Sequence, residues 1–161
     1  MLGSRSCAFG LTVSIPSPVQ ALLLRTDIFC LGQTGSPKGT NINAFNPLEG
    51  DSPQSWDDTV LNRLDAFMAK AHGYGIKLSI SMHSYNALEG NKDYYGQWYG
   101  KGDFYTNSDA IQNFKVRIAH IMAHVNPANK KTWAQSSEYI FAFEAQNEAM
   151  HPLVRPFLYH V

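Results

Sequence analysis

Cysteine is nearly missing from this chain: its 161 residues contain two, Cys7 and Cys30. One possible bridge is no disulfide framework, and it leaves the redox compartment undefined. Charge is sparse and has no dominant sign. Thirteen basic and thirteen acidic residues, with charged residues at 16%, cancel to zero. There is no basic excess to draw nucleic acid or an anionic membrane, so neither is an expected partner. No apolar run approaches the roughly 20 residues that span a bilayer, because Pro16, Pro18 and Arg25 break up the first part of the chain. Absent as well are a Gly-x-Ser-x-Gly elbow, a phosphate-binding glycine loop and a Cys-x-x-Cys pair. The paired glycines of "HGYGIK" follow a helical pattern rather than a strand, and read as a helix C-cap.

What is present is core-forming material: 44% hydrophobic and 12% aromatic residues, in a chain long enough for one domain. Residues 1–18 read as an irregular N-terminus or a weak signal-like segment. Arg5, the apolar run Cys7–Ile15 and Val19-Gln20-Ala21 resemble a leader, but Gly10 and the two prolines weaken it. Residues 19–161 read as the folded part. "PSPVQALLLR" ends in an apolar run readable as a buried strand up to Arg25, and residues 32–55, rich in Gly, Pro, Asn and Ser, read as a long loop.

Ser55 with Asp58 approximates a capping box, and Val60, Leu61, Leu64, Phe67, Met68 and Ala71 follow at helical spacing until Gly73 or Gly75. "IKLSISMH", Ile76–His83, is a strand entered from that helix end. A second helix begins with Ser108 as N-cap, carries Ile111, Phe114, Ile118, Ile121, Met122 and Val125 on one stripe, and ends at Asn126-Pro127. A third strand runs from Tyr139 to about Ala145. Strands alternating with helices imply parallel strands and right-handed crossovers, an α/β sheet or barrel. Three strands are too few to close a (β/α)8 barrel, which takes about 250 residues.

Chemistry in parallel α/β proteins gathers at the carboxyl ends of strands. One strand here ends at His83 and another at Asn147-Glu148. Strand alternation would put Glu144, Gln146 and Glu148 on one side and Asn147 on the other. Glu148 either faces an active-site mouth or caps a following helix. Glu144 reads as a buried acid paired to a base such as Arg25, and His83 as either a site residue or a hydrogen-bonded structural histidine. The connection from Ser84 to Asn107 interleaves Tyr85, Tyr94, Tyr95, Trp98, Tyr99, Phe104 and Tyr105 with amides and carboxylates. Long loops of this kind are usually functional. Flat aromatic faces suit sugar rings, with Trp98 the foremost platform, while part of the set packs as a satellite core. His120 and His124 stand four apart on a helix, but no third metal ligand accompanies them. They read as solvent-facing, and no metal is expected.

"AHGYGIKLSISMHSYNALEGNKDYYGQWYGKGDFYTN" followed by "SEYIFAFEAQNEAMH" resembles fungal proteins of glycoside hydrolase family 5, the cellulase and endo-β-mannanase group, from about Thr40 to His151. The resemblance implies a partial (β/α)8 TIM barrel covering roughly strands 2 to 4 with their helices. It implies hydrolysis of a β-1,4-linked mannan or glucan by a retaining acid/base mechanism, no cofactor, and extracellular action. Carried over, Glu148 is the general acid/base and Asn147 binds the sugar 2-hydroxyl. His83 lines the site, and Arg25 at the end of a strand supports the nucleophile. Trp98, Tyr99 and Tyr85 belong to the substrate surface. Retaining chemistry needs a second carboxyl roughly 5–5.5 Å away. The family places that group on a seventh strand, which this chain does not reach, so as a truncated N-terminal half it is expected to be inactive alone. A non-catalytic carbohydrate-binding fragment using residues 84–107, and a self-contained small α/β protein, stay open.

Overall fold

The computed structural model describes residues 23–27, 46–85, 88, 94–147 and 149. The segment 1–18, Cys7, Cys30, Glu148 and the tail from His151 lie outside the described residues, and of Arg25 the backbone alone is described. The elements in order are β1 (Leu23–Asp27), α1 (Thr59–His72), β2 (Lys77–Ser81), α2 (Tyr94–Asp103), α3 (Ser108–Ala123), a 3-10 turn (Trp133–Gln135) and β3 (Ile140–Glu144).

The three strands form one parallel sheet in the order β1-β2-β3. Leu23 pairs with Lys77 and Asp27 with Ser81, while Ile80 pairs with Phe143 and Ser81 with Glu144, with one register shift between Leu78 and Ser79. The alternation of strands and helices therefore gives the parallel α/β arrangement that the sequence implies. β1 runs two residues beyond Arg25, so that residue stands mid-strand opposite Ser79.

The helices form where the apolar spacing places them, but their caps differ from expectation. Asp58, not Ser55, is the N-cap of α1, and its side chain makes no cap hydrogen bond. Instead Asp57 Oδ1 accepts from the Thr59 N–H at 3.0 Å. Asn107, one residue before Ser108, caps α3 by accepting from the N–H groups of Asp109 and Ala110. The long connection after β2 is not structureless. It contains α2, broken at Gly100, whose φ of 64° is a left-handed conformation open to glycine at little cost.

Leu61, Leu64 and Met68 of α1, Leu78 and Ile80 of β2, Ile121 of α3, Trp133 and Ile140 form one buried cluster. Burying each large side chain contributes about 1.5–3 kcal/mol. A second cluster, Leu88, Tyr95 and Phe104 with Trp98, Tyr99, Tyr105 and Phe114 packed against it, is the satellite core foreseen for the loop.

Charged groups inside the fold are paired. Arg117 and Glu49 are both buried, and Arg117 Nη1 donates to Glu49 Oε2 at 2.7 Å. Arg117 Nε donates to the Met82 carbonyl at 3.2 Å, and the guanidinium lies 5.8 Å from the centre of the Tyr95 ring. Glu49 also accepts from the Gln54 N–H at 3.0 Å. One ion pair thus ties the segment before α1, the end of β2, α2 and α3.

α1 and α3 are joined twice more, which corrects the expectation that His120 and His124 face solvent. His124 Nε2 lies 2.7 Å from Asp65 Oδ2, while Asp65 Oδ1 accepts from Trp133 Nε1 at 2.7 Å. His120 Nε2 lies 2.7 Å from Asp58 Oδ1, its ring stacked 4.0 Å from Trp56. The fourfold spacing serves helix packing, and each histidine takes its own aspartate.

Removing one partner of a buried ion pair strands the other charge, at a cost of roughly 3–5 kcal/mol. Arg117→Ala is therefore expected to lower unfolding free energy by about that amount in urea titrations. The double variant Glu49→Gln/Arg117→Met, which leaves no unpaired charge, should recover much of it. A loss in Arg117→Ala below about 1 kcal/mol would show the pair to be dispensable.

Candidate functional site at the carboxyl ends of the strands

Past Ser81 and Glu144 the two strands do not separate. Met82 N–H donates to the Glu144 carbonyl at 2.9 Å, Asn147 N–H to the His83 carbonyl at 2.8 Å, and Tyr85 N–H to the Asn147 carbonyl at 3.1 Å. Ser84 and Asn147 form a parallel bridge. In between, the chain bends at Ala145. That bend corrects the regular alternation expected for Glu144 to Glu148: pairing stops at Glu144 and resumes at Asn147. The main chain of Asn147 is consequently fixed against His83, and Glu148 follows in sequence.

His83 is completely buried. Its ring stacks on Phe104 at 5.1 Å and 15°, and meets Tyr95 and Phe114 edge-on at 5.8 and 5.6 Å. The Gln146 amide nitrogen lies 2.9 Å from its Nδ1, and the Tyr105 hydroxyl donates to Gln146 Oε1 at 2.6 Å. His83 is therefore hydrogen-bonded and aromatic-packed, yet it stands at the point where the strand ends converge. Asn147 Nδ2 reaches Ser84 Oγ at 3.4 Å, a long contact for a hydrogen bond.

The aromatic residues divide as anticipated between core and surface. Tyr85 and Tyr95 are buried, while Trp98, Tyr99 and Tyr105 are half-buried. Trp98 packs edge-on to Tyr95 at 5.5 Å, and the Tyr99 hydroxyl accepts from Asn113 Nδ2 at 2.7 Å. Glu144 is half-buried. A cavity of about 500 Å³ opens beside this cluster, lined by Phe104, Tyr105, Phe114, Ile118, Ala145 and Gln146 among others. Its walls are mainly apolar, with the Tyr105 hydroxyl and the Gln146 amide as polar groups. Among the described residues no group of three or more His, Cys, Asp or Glu side chains could hold a metal ion.

Sequence reasoning missed Gln146 as a partner of His83, and Glu49 and Arg117 altogether. Arg117 did leave a signal. Positions 110, 114, 117 and 121 share one helix face, so a charge at 117 sits in an apolar stripe and calls for a buried partner.

No family model matches the chain, but named relatives and solved structures resemble it. Mannan endo-1,4-beta-mannosidases 5 and 2 of Solanum lycopersicum are each 33% identical over 106 residues, covering 60% of this chain and 25% of the relative. Mannan endo-1,4-beta-mannosidase 1 of Arabidopsis thaliana is 29% identical over 113 residues, 68% of this chain and 27% of its own length. The chain thus spans about a quarter of the curated relatives it matches. In structure it is similar to an endo-1,4-beta-mannanase from Rhizomucor miehei, with TM-score 0.56 and 24% identity over 79% of this chain and 35% of that one. The hyperthermostable endo-1,4-beta-D-mannanase of Thermotoga petrophila gives TM-score 0.54 and 23% identity over 79% and 37%. The resemblance drawn from the two strand ends is borne out, on its mannanase side, by the similar mannosidases, and the solved structures show a similar fold.

Two tyrosines give the cluster a measurable signature. Burial, reinforced by the Glu49 charge, pushes the Tyr95 hydroxyl well above its ordinary range. Burial also raises Tyr105, against the lowering effect of its bond to Gln146. A raised folded-state pKa means that the unfolded chain releases its proton first, so this stability is present below pH about 10 and is lost above it. Denaturant titrations should show unfolding free energy falling by up to about 1.4 kcal/mol per pH unit from Tyr95 alone. Tyr95→Phe should flatten that fall, and an unchanged alkaline slope would contradict the burial of its hydroxyl.

Proposed function

We propose that this chain is the part of a mannanase-type glycoside hydrolase that supplies the acid/base side of the active site, within a larger (β/α)8 barrel. The observation that carries this reading is the fixing of Asn147 on His83 at 2.8 Å, which brings together the two strand ends on which the resemblance rests. In support stand the similar mannan endo-1,4-beta-mannosidases, and a parallel sheet whose strand ends carry the candidate residues.

In this reading the substrate is a β-1,4-linked mannan, with glucan second, hydrolysed with retention. Glu148 protonates the leaving glycosidic oxygen and later removes a proton from the attacking water. To stay protonated before the first step its carboxyl requires burial or a neighbouring carboxylate. Asn147 hydrogen-bonds the sugar 2-hydroxyl, His83 forms the floor beneath it, and Trp98, Tyr99 and Tyr85 shape the substrate side. Arg25 steadies the nucleophile. The nucleophile is a second carboxylate, about 5–5.5 Å across the cleft, contributed by a strand beyond those described. The 161-residue chain by itself is accordingly inactive. The half-buried faces of Trp98 and Tyr99 favour a second reading, a fragment that binds carbohydrate without cleaving it.

Purified chain incubated with β-mannan and manno-oligosaccharides should show no hydrolysis. In a longer protein that includes the partner carboxylate, Glu148→Gln should lower kcat by about 10²–10⁴, the usual worth of a general acid/base. In that longer protein, mannan binding without turnover that weakens about tenfold in Trp98→Ala, a change of ~1.4 kcal/mol, would select the second reading. Retaining hydrolysis by the pure 161-residue chain, or full activity in Glu148→Gln, would overturn the first.

A further inference from the structure

The hydrogen-bonded chain Tyr105–Gln146–His83 has a direction that can be read from its lengths. Tyr105 Oη and the facing Gln146 atom are 2.6 Å apart. That is short for N–H···O, with its mode near 2.9–3.0 Å, and fits O–H···O. The amide oxygen therefore faces Tyr105, which donates to it. The amide NH₂ then faces His83 Nδ1 at 2.9 Å. An NH₂ group can only donate, so Nδ1 must offer a lone pair, and the ring proton resides on Nε2.

The surroundings hold the ring in place. His83 is fully buried, so bulk water does not select its form, and Phe104 at 5.1 Å with Tyr95 and Phe114 holds the ring plane. Consecutive residues grip the same histidine in two ways. Gln146 takes its side chain, and Asn147 takes its carbonyl at 2.8 Å.

We propose that Gln146 is a positioning residue: its amide, oriented by the Tyr105 hydroxyl, locks His83 in the Nε2–H form and so fixes which edge of the ring carries the donor. Its importance to sugar hydrolysis rests on the mannanase-type reading, whereas the locked proton does not. Tyr105 acts one step further back, by deciding which end of the amide His83 meets.

Long-range proton–nitrogen correlation spectra of the ¹⁵N-labelled 161-residue chain test this without any turnover. In the wild type, His83 Nδ1 should resonate as an unprotonated, pyridine-type nitrogen and Nε2 as a protonated, pyrrole-type one. Gln146→Glu replaces the donor by a carboxylate acceptor, and the two assignments should exchange. Tyr105→Phe frees the amide to turn, and the two resonances should move toward each other. Backbone amide dispersion monitors folding of each variant. Averaged nitrogens or an Nδ1–H form in the wild type would overturn the proposal, as would a wild-type pattern kept in Gln146→Glu. If mannan is neither bound nor cleaved while these spectra behave as expected, the hydrolase reading fails and the positioning of His83 stands.

Discussion

The contact between Arg117 and Glu49 is where most of the fold meets. A guanidinium and a carboxylate, both taken out of water, cost several kcal/mol each to desolvate and are tolerable only when every hydrogen-bonding direction is used. Arg117 donates from Nη1 to Glu49 and from Nε to the Met82 carbonyl, and Glu49 accepts in addition from Gln54. The Met82 carbonyl immediately precedes His83. The position of the histidine is therefore set by a charge on α3, which is in turn held by a residue ahead of α1. Tyr95, whose ring lies beside the same guanidinium, brings the aromatic segment to the spot.

From that anchor the site follows by short steps. Parallel pairing between β2 and β3 brings Ser81 beside Glu144, and the main chain re-forms its pairing beyond the bend so that Ser84 meets Asn147. The rings of Phe104, Tyr95 and Phe114 pack against His83. Two aspartate–histidine contacts hold α1 to α3, and the Asp65–Trp133 bond holds α1 to the 3-10 turn.

Much of this was legible in the residues. The 3.6-residue stripes of α1 and α3 and the apolar runs of the strands are local signals, and they gave element type and order. The convergence of His83 with Asn147 was foreseeable because parallel strands present their ends on one side. Other features depend on partners distant in sequence. His120 and His124 looked solvent-facing until packing supplied Asp58 and Asp65 from another helix. Gln146 was visible as a polar residue ending a strand, but its role depends on a bend at Ala145 that shifts strand alternation. α2 itself was missed, because its glycine- and aromatic-rich residues read as a loop, whereas the cap at Asn107 is a shift of one residue, where neighbouring side chains compete for the same backbone donors.

The central claim is that the ends of β2 and β3 form one carbohydrate site. Titration of the ¹⁵N-labelled chain with a manno-oligosaccharide, followed residue by residue through its backbone amide resonances, tests it most directly. The account expects saturable shifts concentrated at residues 83–85 and 146–147 and in the aromatic segment around Trp98. Shifts confined to surfaces remote from these residues would contradict it, and so would a titration that leaves every amide in place.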